Sequence, residues 1–101
     1  MTTITFDSTV FDHIDWDAHY GTLTLHVGPI RPADVYDVSE QGDPLRYDLA
    51  DGREVLIGLE VLAADARVNT PGGIEVTLPD GHVMRSPDVA EFLRRQTTTA
   101  R

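Results

Sequence analysis

An α+β fold dominated by strands is what this sequence predicts: an antiparallel sheet of three hairpins, about five to seven strands, with one C-terminal helix packed on it. Three observations carry the prediction. Apolar and polar residues alternate in several short runs, which sets one face of an extended chain on a core and the other in water. Asp-Gly pairs and other turn formers separate those runs. Only the last stretch switches to helical spacing, behind a serine and a proline.

The first hairpin reads as Val10 to Trp16, a turn over Asp17-Ala18-His19-Tyr20-Gly21, and a return over Thr22 to Val27. In the return, Leu23, Leu25 and Val27 face the core and Thr22, Thr24 and His26 face water. The first arm alternates less cleanly, with Asp12 sharing the side of Val10, Ile14 and Trp16, as befits an edge strand. Gly28-Pro29-Ile30-Arg31-Pro32 breaks regular structure, since proline fixes φ and lacks an amide donor. Ala33 to Glu40, with Val35, Tyr36 and Val38, reads as a short strand in preference to one helical turn. The second hairpin has Leu45 to Leu49 as one arm, Asp51-Gly52 as the turn, and Glu54 to Leu62 as a nearly continuous apolar return that belongs at the sheet centre. Asn69-Thr70-Pro71-Gly72-Gly73 ends it. In the third hairpin Ile74, Val76 and Leu78 alternate with Glu75 and Thr77, Pro79-Asp80-Gly81 turns, and His82 to Arg85 returns. Ser86 as N-cap, Pro87 in the first helical position and Asp88 at the positive dipole end open a helix whose inner face is Val89, Phe92, Leu93 and Gln96, with Arg94 and Arg95 at its negative end. Residues 1–9 and 97–101 read as frayed ends of a single domain spanning 1–101.

Hydrophobic residues make up 41% and charged residues 25% of 101 residues, which suits one folded domain. No cysteine is present, so disulfides, thiolate zinc sites and cysteine nucleophiles are excluded. The start, Met1-Thr2-Thr3-Ile4-Thr5-Phe6-Asp7, has neither a basic region nor a long apolar run, so no signal peptide or membrane span is expected and the cytoplasm is the default location. All eight basic residues other than histidine are arginine, and the net charge is −9. Ten acids and two arginines over residues 1–51 leave −8, whereas seven acids and six arginines over 52–101 leave −1. Such a field repels nucleic acid and anionic lipid and favours a basic protein. The carboxylates before position 52 are expected to form one contiguous negative surface, with Asp12, Asp15, Asp17, Asp34, Asp37 and Glu40 as the partner-binding residues.

Within the Asp12–His19 segment, His13, Asp15 and Asp17 project to one side of an extended strand, a pattern that offers imidazole and carboxylate ligands to a divalent cation. The plainer reading is solvated charge that discourages edge pairing. Glu60, alone in an apolar strand, is expected to pair with Arg46 or Arg53, or to lie on an open stretch of sheet. Ser8, Ser39 and Ser86 sit in no strained-turn motif and no glycine-rich loop cradles phosphate, so no catalytic constellation or cofactor is expected. Trp16, Tyr20, Tyr36 and Tyr47 are assigned to the core in preference to a binding patch.

The span from Trp16 to about Ala66 resembles domain of unknown function 2283, a family of small bacterial and phage proteins. The residues that carry the likeness are Trp16-Asp17, Leu23-Thr24-Leu25, Tyr47-Asp48-Leu49-Ala50-Asp51-Gly52 and Gly58-Leu59-Glu60-Val61-Leu62. Tyr20-Gly21 stands where the family has a second aspartate. The resemblance implies a protein partner more than a substrate. The expected function is therefore a non-enzymatic interaction module, antitoxin-like or inhibiting a nucleic-acid-binding complex, with a homodimer through a sheet edge as a further association. The alternatives are a small metal-binding protein or metal-dependent hydrolase using the Asp12–His19 cluster, and a structural subunit of a larger assembly.

Overall fold

The computed structural model describes residues 2–99, and its strands form where apolar and polar residues alternate. In chain order the elements are β1 (Ile4–Phe6), β2 (Thr9–Phe11), β3 (His13–Asp17), β4 (Thr22–His26), β5 (Val35–Val38), β6 (Pro44–Ala50), β7 (Arg53–Val61), α1 (Ala64–Arg67), β8 (Ile74–Thr77), β9 (Val83–Ser86) and α2 (Asp88–Thr99). All pairing is antiparallel: a five-stranded sheet in the order β3-β4-β7-β6-β5, flanked by the separate hairpins β1-β2 and β8-β9. The protein is thus α+β, mostly β, with a C-terminal helix.

The strand β7 takes the central place that its apolar run predicts, between β4 and β6. Asp51 and Gly52 both adopt positive φ, 52° and 78°, the conformation that a two-residue hairpin turn demands. Between Arg46 and Tyr47 the register slips by one residue, which leaves Ile57 as a bulge. One face of the sheet presents Leu23, Leu25, Leu45, Leu59 and Val61 to the core. Against it lie Ile4, Phe6 and Phe11 from the first hairpin, Ile74, Val76 and Met84 from the last, and Val89 and Leu93 from α2. Each such burial is worth about 1.5–3 kcal/mol relative to exposure. Phe6 and Phe11 meet edge to face, with ring centroids 6.2 Å apart.

Several expectations need correction. Of the segment 1–9, Met1 lies outside the described residues and the rest is no frayed end: Ile4 and Phe6 are fully buried, and Asp7, with φ 53°, turns β1 into β2. The arm expected from Val10 to Trp16 breaks at Asp12, so Phe11 enters the core while Val10 is exposed. Asp12 Oδ1 accepts a 2.7 Å hydrogen bond from the Gly28 amide, which ties the break to the far end of β4. Val27 is exposed and His26 is buried, the reverse of their expected placement. A short helix, α1, occupies a stretch with no helical signal. Ser86 Oγ does accept from the Asp88 amide, at 3.2 Å, as an N-cap should. Asp88 also holds the chain start, accepting from the Thr5 amide at 3.0 Å. Because α2 runs on to Thr99, Arg94 and Arg95 lie before its last turn, and both pair with Glu91. Ala100 and Arg101 lie outside the described residues.

Candidate functional site

The six acids expected to bind a partner fall into two groups. Asp12, Asp15 and Asp17 line the β3 edge, whereas Asp34, Asp37 and Glu40 flank β5 at the opposite edge. Four strand spacings of about 4.8 Å separate those edges by some 19 Å, roughly. They therefore do not make the one contiguous surface expected. All six are exposed, and none joins an ion pair among the described residues. Four use an oxygen locally: Asp12 as above, Asp17 on the His19 and Tyr20 amides, Asp34 on the Leu49 amide and Asp37 on the Val38 amide.

His13, Asp15 and Asp17 do share one side of β3, opposite His26, Thr24 and Thr22. Alternate residues on a strand stand about 6.7 Å apart, too far for an unaided strand to close three ligands on one ion. No group of three or more His, Asp or Glu able to hold a metal occurs among the described residues. Glu60 is half-buried opposite Thr24 and makes no ion pair among the described residues; Arg46 instead lies over the Tyr36 ring, 5.9 Å from its centroid. Of the four aromatics assigned to the core, Tyr47 is buried there, Trp16 is half-buried against it, and Tyr20 and Tyr36 are exposed.

Sequence reasoning missed the most elaborate polar arrangement. Asp43, 0% exposed, accepts from Arg67 Nη1 and Nη2 at 2.7 and 3.1 Å, from the Leu62 amide at 3.0 Å and from Ser39 Oγ at 3.0 Å. Arg67 also donates to the carbonyls of Leu62 and Glu75, both at 2.9 Å. Every acceptor is met, so this is a structural bolt joining the β7 end, α1 and β8. Elsewhere Arg31 holds Asp48 at 2.6 Å; that hydrogen bond lowers the Asp48 pKa and raises that of Arg31.

Beneath β6 and β7 the three hairpins enclose a cleft of about 480 Å³. Its carboxylates are Asp7, Glu54 and Asp80, and its apolar wall is Leu56, Leu78 and Met84. Tyr47 lines it as well, 6% exposed, with a hydroxyl that makes no hydrogen bond among the described residues. Burial first, and then the charges of Asp37, Asp80 and Glu54, push the phenol up to about 12. Thus Asp37, from the β5 group, acts on the same spot. His82 Nε2 lies 2.9 Å from Asp7 Oδ2, and the cleft holds no arginine. Ser8 lines it too, yet makes no hydrogen bond to His82, so no activated nucleophile is assembled. His26 offers nothing to a ligand: its Nδ1 faces the carbonyls of Val27 and Gly28, and its unpartnered Nε2 is sealed from solvent.

Comparison with protein-family models, with curated proteins and with solved structures finds no match. No helix among the described residues is long and apolar enough to cross a membrane.

Proposed function

We propose that this chain is a non-enzymatic interaction module that binds a basic protein. The observation that supports it is the pattern of neutralisation. Four of the molecule's arginine-paired acids, Asp43, Asp48, Glu75 and Glu91, lie outside the acids expected to bind a partner. Asp12, Asp15, Asp17, Asp34, Asp37 and Glu40 keep their charge facing solvent at the two sheet edges. Exposed, unpaired charge of one sign speeds encounter with a partner of the other sign and selects against nucleic acid. Neutralising a basic nuclease in the manner of an antitoxin, or covering a nucleic-acid-binding surface with carboxylates in place of phosphates, are the two forms this takes. The resemblance of residues 16–66 to domain of unknown function 2283 belongs to the same reading.

Capture on the immobilised chain at two salt concentrations tests it. A basic protein retained in about 50 mM salt and released in about 500 mM agrees, because rim charges are screened within a few ångströms at the higher value. Salt-insensitive capture, or none, counts against it.

A further inference from the structure

We infer that the cleft beside Tyr47 receives one arginine side chain of that basic partner, an assignment that rests on the proposed function. Two independent features meet there. The first is charge: none of the lining carboxylates Asp7, Glu54 and Asp80 pairs with an arginine among the described residues, and Asp7 has only the His82 imidazole beside it. The second is Tyr47, a residue of the lining that is 6% exposed and whose hydroxyl has no hydrogen bond among the described residues. Its oxygen is not among the sealed, unpartnered polar atoms and so keeps contact with solvent, where a ligand atom can take the place of water.

The occupant's chemistry follows from the lining. Leu56, Leu78 and Met84 give an apolar wall against which a methylene stem can lie while its charged end meets the carboxylates. A phenolic oxygen both accepts and donates, so it can accept a guanidinium N–H while its own O–H remains a hydrogen-bond donor. Guanidinium is favoured over ammonium because it presents five donors in a plane, is weakly hydrated, and here meets acceptors on more than one side. A cleft of about 480 Å³ has room for the side chain and the backbone that carries it.

The test uses N-acetyl-arginine N-methylamide, with its uncharged citrulline counterpart as control, titrated into the intact chain while the Tyr47 ring and Met84 methyl resonances are followed. The expected result is saturable shifts at those two groups with the arginine compound alone. Glu54→Gln combined with Asp80→Asn should weaken them about tenfold, and Tyr47→Phe a few-fold. Glu54 and Asp80 are exposed, and asparagine at 80 keeps the oxygen that accepts from the His82 amide, so these variants should stay folded. No shift at tens of millimolar, equal shifts with citrulline, or shifts centred on the β3 edge would overturn the assignment. Salt-dependent capture of a basic protein, measured separately, judges the proposed function: capture without arginine binding in the cleft sinks only the cleft, and the converse sinks only the partner.

Discussion

Replacing Arg67 with methionine should bring this protein close to unfolding. Methionine keeps most of the stem but removes both hydrogen bonds to Asp43 and those to the Leu62 and Glu75 carbonyls. The Asp43 carboxylate, 0% exposed, is then left with only the Leu62 amide and the Ser39 hydroxyl. Breaking a buried pair from one side costs about 3–5 kcal/mol, out of a total near 5–15 kcal/mol for a domain of this size. The reverse change, Asp43→Asn, should cost less, about 1–3 kcal/mol, because the Arg67 side chain is 22% exposed and its stranded charge can reach water. Urea unfolding followed by the fluorescence of the single tryptophan, Trp16, reads both. At a slope of about 1–2 kcal/mol per molar, Arg67→Met should lower the midpoint by some 2–4 M. The double variant should cost well under the sum of the singles, since asparagine leaves no buried charge for methionine to expose. Equal costs for the two single variants, or a loss below about 1 kcal/mol for Arg67→Met, would refute the reasoning.

Four other outcomes are expected. Tyr47 holds its proton more tightly in the folded state, at about 12 against 10.0, so the stability it contributes is complete below pH 10 and disappears as pH rises through 12. Unfolding of the natural chain and of Tyr47→Phe should therefore diverge by about 1–2 kcal/mol between pH 10 and 12, and parallel curves would deny it. Gly73 has φ +94°, and a Cβ there would lie 2.0 Å from the Ser86 carbonyl oxygen, so Gly73→Ala should destabilise by about 3 kcal/mol or more in thermal melts. Leu25→Ala, in the middle of the buried sheet face, should lose about 2–5 kcal/mol by the same denaturation assay. Asp15→Asn with Asp17→Asn should leave the unfolding free energy in urea within about 0.5 kcal/mol of the natural chain while slowing association with a basic partner at low salt.

How much was legible depended on the range of the interaction. The β6-β7 and β8-β9 hairpins were readable because alternation and turn chemistry are local, Asp51-Gly52 above all. The β1-β2 hairpin escaped notice since three-residue strands give too few alternations, although Ile4, Phe6 and Phe11 carried the apolar signal. Strand order explains the misplaced acidic surface: with β7 inserted between β4 and β6, acids close in sequence end on opposite edges. His26 looked polar and hence exposed, but the bare backbone at Gly58 across the ladder gives its ring a place to lie. Both the Asp43 bolt and the cleft join residues from distant hairpins, and nothing in a local pattern announces such meetings. Of their residues the sequence draws attention to Ser8 and Ser39 as hydroxyls outside any nucleophile motif, and to Tyr47 for its ring instead of its hydroxyl.

The bare position at Gly58 also limits how this sequence can diverge. A methyl group there would stand 3.0 Å from both the His26 ring and the Arg46 stem, which together roof the middle of the open side of the sheet. An alanine at 58 thus needs both neighbours to give by a few tenths of an ångström, and a bulkier residue there is eased by a slimmer residue at 26 together with a rerouted side chain at 46, so the three positions should change in concert when relatives are aligned. Where position 58 has gained bulk without a compensating loss, the roof should be displaced and the backbone beneath it should exchange its amide protons faster.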